Sequence, residues 1–127
     1  MSRKLDDLSP RFKPLAMELL ARCVEQGIHV LIVDTLRTPE EHAANLAKGV
    51  SWTTRSKHLD GDAIDICPYE TYHLRGPDKL AWHDGPTFQR IGAIGEALGL
   101  RWGGRWRVKD LGHFEYVAPA STDARQI

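Results

Sequence analysis

Five residues, Ala63-Ile64-Asp65-Ile66-Cys67, restrict this chain more than any other stretch. They read as a β-strand, and strand side chains alternate, so Ile64 and Ile66 share one face while Asp65 takes the other. A carboxylate in the middle of an apolar strand is costly unless something positive pairs with it. The strand therefore asks for a sheet with one face on a core, and for a partner brought to Asp65 from elsewhere. His58 stands just upstream, and Gly61 between them lets the chain turn tightly enough to fold that imidazole back.

Helices and strands mix around this strand. Ser9 as N-cap and Pro10 at the first helical position predict a helix whose Phe12, Leu15, Ala16, Leu19, Leu20 and Cys23 form one apolar face until Gly27. A β-branched run over 28–33 follows as a strand. Thr38-Pro39-Glu40-Glu41 carries a capping box, opening a helix that runs through Leu46 to Gly49. Pro68 is read as the end of the central strand and residues 69–85 as a long surface loop. Pro86 opens a third helix with Phe88, Ile91, Ile94 and Leu98 facing the core and Gly99 ending it. Leu100-Arg101-Trp102, a glycine turn, Trp106-Arg107-Val108 and a last strand over 113–117 follow, with a polar tail from Pro119. Short loops before the strands form no regular βαβ series. The predicted class is α+β, with helices packed on one face of a small antiparallel sheet, in a single domain over residues 1–127.

Composition narrows the choice of partners. Seventeen basic and seventeen acidic side chains cancel, so no long-range field draws the chain to nucleic acid or to an anionic membrane. Binding must come from a local site. No run approaches the ~20 apolar residues that span a bilayer. The opening Met-Ser-Arg-Lys-Leu-Asp-Asp has the charges of a signal peptide without an apolar region behind them, so the chain is expected to be made in the cytoplasm. Cys23 and Cys67 fit no closely spaced metal pattern and read as reduced, buried thiols.

A second polar cluster, Asp110-Leu111-Gly112-His113, opens the last strand. Two imidazoles and a carboxylate are a normal ligand set for catalytic zinc, which keeps a fourth position open. Asp110, three residues before His113, is then a carboxylate close to the metal but free to take a proton. Taken alone, each half is weak, because histidines and aspartates are more often ordinary polar groups.

The order Ser56-x-His58-x-x-Gly61-x-Ala63-x-Asp65, followed by Asp110-x-x-His113, resembles the signature of the D-Ala-D-Ala carboxypeptidase (VanY-like) metallopeptidases. That group includes phage endolysins cutting the L-alanyl-D-glutamate bond of peptidoglycan stem peptides. The likeness extends to Leu36-Arg37-Thr38-Pro39-Glu40-Glu41, Leu46-Ala47-Lys48-Gly49 and Trp102-Gly103-Gly104, covering roughly residues 28–117 in one order. It implies the hedgehog/D-Ala-D-Ala peptidase-like fold. It also implies zinc on His58, Asp65 and His113, with Asp110 as base. Arg37 matches the arginine that faces substrate and helps stabilise the oxyanion, a role suited to a guanidinium. Ser56 either orders its loop or touches substrate. Aspartate at 110, where many relatives carry glutamate, resembles the phage endopeptidase branch. Arg105 departs from the pattern, which places an acidic residue there.

The resemblance thus implies a monomeric zinc endopeptidase acting on peptidoglycan after release to the wall. Three other readings stay open: a D,D- or L,D-carboxypeptidase, a binding module keeping the zinc fold without turnover, and nucleic-acid binding through Arg101-Trp102-Gly103-Gly104-Arg105-Trp106-Arg107. Blander roles are expected elsewhere. His29 is read as a core or edge histidine, His42 as solvent-facing, and Asp60 and Asp62 as solvated. His73, His83, Trp52, Tyr69, Tyr72 and Trp82 are given no assigned role, and Cys67 is placed on the strand face of Asp65.

Overall fold

The computed structural model describes residues 2–49, 56–70 and 79–118. Helix α1 spans Lys13–Glu25, strand β1 Val30–Asp34, helix α2 Pro39–Ala47 and strand β2 Ala63–Glu70. Strand β3 (Lys79–Leu80), helix α3 (Gly85–Ala97), strand β4 (Arg101–Trp102) and strand β5 (His113–Glu115) follow. The sheet runs β1-β2-β5-β4, with β3 pairing the far end of β2, and every pairing is antiparallel. The α+β class predicted from the sequence is the one observed.

Register divides the sheet into two chemistries. Ile64 lies opposite Phe114, and Trp102 opposite Phe114 on the other side. Residues opposite one another share a face, so these three form an apolar row, joined by Ile66. They pack with Phe12, Ala16, Leu19 and Cys23 of α1 and with Ile91 and Ile94 of α3. Burying each large apolar side chain contributes roughly 1.5–3 kcal/mol. The alternate set carries the polar groups, with Asp65 opposite His113 and Glu115 lying between Ala63 and Arg101.

Local signals explain most elements and also the exceptions. Thr38 accepts from the Glu41 backbone N–H while Glu41 accepts from Thr38, completing the capping box that starts α2. Asp84 caps α3 by accepting from both the backbone N–H and the hydroxyl of Thr87. Helix α1, by contrast, begins at Lys13 rather than after Ser9. Ser9 to Phe12 form a turn whose Ser9 hydroxyl is drawn to the Asp62 carboxylate. Asp62, expected to be solvated, is buried and held by Ser9 and Arg11. These partners outweigh the penalty of burial and keep its carboxyl below the usual range.

Pro68 does not end β2, which continues to Glu70. Successive backbone N–H groups point to opposite strand edges, so Pro68, next to Tyr69 whose N–H meets His29, would aim its own away from β1. On that edge the neighbour changes from β5, paired with Ala63–Asp65, to β3, paired with Tyr69 and Glu70. There the Pro68 carbonyl accepts from Ala81 N–H at 2.7 Å, and the Ala81 carbonyl accepts from Asp84 N–H at 3.1 Å, so the missing donor leaves no acceptor waiting. The supposed loop over 69–85 therefore contributes two short strand segments. Residues 106–108 form bends, and the last strand, read as 113–117, stops at Glu115. Cys23 and Cys67 are free and buried, and burial pushes both thiols up to about 11. Among the described residues no helix is long and apolar enough to cross a membrane. The tail from about 119 lies outside the described residues, as do Trp52, Tyr72 and His73.

Candidate metal centre

Asp65 receives an imidazole from each side. Its Oδ1 is 2.9 Å from His113 Nδ1, the residue directly across on β5, and its Oδ2 is 3.2 Å from His58 Nε2. His58 arrives on a 3-10 turn, Lys57–Asp60, that begins with the Ser56 hydroxyl accepting from the His58 backbone N–H at 3.2 Å. Gly61 ends the turn at φ 72°, a conformation that L side chains rarely adopt. The tight reversal read from Gly61 is thus what folds His58 back onto the strand.

The orientation of His58 is set from behind. Its Nδ1 lies 2.7 Å from the Thr35 carbonyl and donates to it, leaving a lone pair on Nε2. That Nε2 is buried and has no hydrogen-bond partner among the described residues. A buried acceptor nitrogen beside a carboxylate is an arrangement that a cation completes. One ligand atom each from His58, Asp65 and His113 lie within 4.8 Å of one another. The residues present fit a single divalent ion.

Asp110 stands at the edge. Its side chain is 52% exposed, with Oδ2 4.0 Å from His113 Nδ1. The loop is pinned by its backbone: Asp110 N–H donates to Gly103 at 3.0 Å, and the Asp110 carbonyl accepts from His113 N–H at 3.2 Å. A Cβ on Gly103 would lie 2.4 Å from that carbonyl oxygen, so only glycine permits the approach.

Electrostatics follow from these neighbours. Burial alone would raise the Asp65 carboxyl, but the His113 and His58 imidazoles beside it outweigh that and hold the group well below the carboxylate range. Burial alone would lower His113, but hydrogen bonds to Asp65 and Glu115 outweigh that and raise it above the ordinary imidazole value. Asp110 is raised by partial burial and by the charge of Asp65, with His113, His58 and Arg37 pulling part of the way back.

The His113 shift has a measurable sign. A raised folded-state value stabilises the metal-free protein fully below the ordinary value near ~6.5, and that stabilisation is lost as pH climbs through the raised one. A metal ion held at Nδ1 would compete with the proton there, so its binding would strengthen over the same range. Thermal unfolding of chelator-treated and metal-loaded protein should therefore diverge as pH rises from about 6.5. A gap that narrows instead would contradict the pairing of His113 with Asp65.

Arg37 is brought near the same centre. Its Nε and Nη2 donate to Asp34 Oδ2 at 3.3 and 2.8 Å, and its Nη1 lies 3.2 Å from His42 Nδ1. These contacts use three of its five N–H groups. His42 is thus buried against Arg37 rather than solvent-facing as expected. The Arg37 backbone N–H also donates to the His58 carbonyl, tying the two segments together. His29 is exposed at the start of β1, against Tyr69.

Two neighbours of His113 went unread in the sequence. Glu115, buried, accepts from His113 Nε2 at 2.8 Å. The signal was available, because residues two apart on a strand share a face. Trp106 lays its ring 4.9 Å from the His113 ring, a contact made by the turn after Gly103-Gly104 and invisible to spacing. The departure at Arg105 also has an explanation: it grips Glu96 with two bonds of 2.9 Å and lies over the Trp102 ring. Trp102 itself is buried, its indole N–H donating to the Leu111 carbonyl, so it offers no stacking face for a base.

Comparison with known proteins places this geometry. A family model described as D-alanyl-D-alanine carboxypeptidase matches residues 49–116, which include all three candidate ligands and Asp110. An L-alanyl-D-glutamate peptidase of Listeria phage A118 is 34% identical over 104 residues, 80% of this chain but only 35% of that protein. The chain thus spans about a third of that relative. An L-alanyl-D-glutamate peptidase of Escherichia phage T5 is 32% identical over 81% of this chain and 78% of its own length. The fold matches the crystal structure of the Serratia marcescens L-Ala D-Glu endopeptidase ChiX with a TM-score of 0.68 at 22% identity, covering 94% of this chain and 86% of that one. With its matched segment running from Gly49 to Tyr116 and ending just past His113, the chain belongs to the D-alanyl-D-alanine carboxypeptidase family.

Proposed function

We propose that this chain is a zinc-dependent endopeptidase that hydrolyses L-alanyl-D-glutamate bonds in peptidoglycan stem peptides. The observation that carries the reading is the convergence of His58, Asp65 and His113 within 4.8 Å, with a raised and half-exposed Asp110 carboxylate at the edge. The choice of bond is supported by the two phage relatives, both L-alanyl-D-glutamate peptidases.

His58, Asp65 and His113 hold the ion, each oriented by the sheet or by Thr35. Zinc supplies Lewis acidity to the scissile carbonyl and acidifies water in its neighbourhood. Asp110 takes a proton from the attacking water and returns it to the leaving amine. A carboxyl raised toward neutrality suits both halves of that transfer better than an ordinary one. Arg37, braced by Asp34 and His42, keeps two N–H groups beyond those contacts to stabilise the developing oxyanion or a substrate carboxylate. Ser56 serves mainly by capping the His58 turn; its hydroxyl accepts there and retains its own hydrogen for substrate. Ligands and base come from one chain, so a monomer suffices, acting at the wall after release.

Digestion of purified peptidoglycan, analysed by mass spectrometry before and after chelation, tests this. New D-glutamate amino termini that disappear with the chelator are expected. Free D-alanine as the product would make the chain a carboxypeptidase instead, and chelator-insensitive cleavage would remove the metal from the account.

A further inference from the structure

We propose that Glu115 is a positioning residue of the metal centre, holding the His113 ring by its Nε2–H so that Nδ1 is presented beside Asp65, and that Arg101 steadies Glu115 from the neighbouring strand. The proposal rests on the zinc reading above.

His113 has two ring nitrogens with separate surroundings. Nδ1 faces Asp65 at 2.9 Å and Asp110 at 4.0 Å, and Nε2 faces Glu115 Oε1 at 2.8 Å. An imidazole that ligates through one nitrogen must carry its hydrogen on the other, and whatever accepts that hydrogen decides both tautomer and ring angle. Glu115 is placed for this by strand geometry alone, two residues beyond His113 on the same face of β5.

The distances separate this role from one of mere sheet cohesion. Glu115 lies between Ala63, which offers no polar side chain, and Arg101. The Arg101 Nη1 contact to Glu115 Oε2 is 3.5 Å, and the Arg101 side chain is 56% exposed. The bond to His113 is shorter and is shut away from solvent, since both side chains are 7% exposed. A carboxylate buried to that degree requires a strong donor, and the stronger of its two contacts goes to the metal-binding ring. Trp106 lies tilted against that ring with centroids 4.9 Å apart, so Glu115 and Trp106 restrain it from two directions.

The test compares zinc dissociation constants, by competition with a chromophoric chelator, for the native protein, Glu115→Ala, Glu115→Gln and Arg101→Ala. Loss of an acceptor behind a ligating histidine weakens metal binding by about ten- to a hundredfold. E115A is expected in that range, E115Q closer to native because its amide oxygen still accepts, and R101A within a few-fold. In zinc-loaded protein the exchangeable Nε2 proton of His113 should resonate far downfield by NMR, move upfield in E115Q and vanish in E115A. A folded E115A that binds zinc within twofold of native overturns the proposal. Should E115A not fold, an unmoved His113 proton signal in E115Q overturns it equally. A native protein that takes up no zinc removes the functional reading beneath it, which distinguishes the two failures.

Discussion

Asp110→Asn is expected to slow hydrolysis of purified peptidoglycan by about 10²–10⁴-fold, the usual contribution of a positioned proton carrier, while bound zinc stays at the native level. Asparagine keeps the size and the hydrogen-bonding oxygen of aspartate but cannot take a proton. The fold should tolerate the change, because the side chain is half exposed and the loop is held through its backbone, to Gly103 and His113. Substitutions at such places shift stability by only about 0.5 kcal/mol. Three measurements on one sample, activity, zinc content and thermal midpoint, then separate the possible roles. Activity lost with zinc retained identifies the base. Activity and zinc lost together would make Asp110 a ligand. Native activity in D110N would leave the spare carboxylate without a catalytic part, as in a binding module that keeps the fold without turnover.

The Asp65 half of the centre was readable from period-two geometry and a glycine turn, whereas its joining with His113 came only with the family resemblance. Asp65 between two isoleucines announces a polar face opposite a core, and Gly61 at φ 72° returns His58 to that face. The 48-residue separation of Asp65 and His113 is a different matter, since cross-strand register depends on which strands pair, and no local pattern decides that. Glu115 was legible by the same alternation that exposed Asp65. His42 was half legible: it stands four residues before Leu46 and so shares its side of α2, but the Arg37 guanidinium that meets it comes from the preceding loop. Pro68 misled for a similar reason, because a missing N–H ends a strand only when a neighbour is waiting for it. Ser9 does both jobs: its hydroxyl accepts from Phe12 N–H at 3.3 Å as a cap would and donates to the buried Asp62, 53 positions away, while the regular helix begins only at Lys13.

Phe114→Ala should remove about 3–5 kcal/mol of stability, the range for deleting a buried aromatic ring. Phe114 is fully buried between His113 and Glu115 in sequence, but on the opposite face of the sheet. It lies between Ile64 on β2 and Trp102 on β4, and a Cβ added to Gly95 of α3 would sit 2.4 Å from its ring. So little room on every side gives the cavity few atoms able to collapse into it. A domain of this kind is typically stable by 5–15 kcal/mol, so metal-free F114A should lie near its unfolding threshold at room temperature. Zinc binds only the assembled centre and should restore stability by mass action, about 2.7 kcal/mol at a hundredfold excess over its dissociation constant. Denaturant unfolding of F114A with chelator and with zinc should therefore differ widely, with Phe114→Leu falling between F114A and native. A metal-free F114A within about 1 kcal/mol of native would show that the apolar row is not what holds β5 and its ligand in register. If that loss were large but zinc failed to offset it, the deletion would have displaced His113 itself, since the ring and the ligand sit on adjacent residues of one three-residue strand.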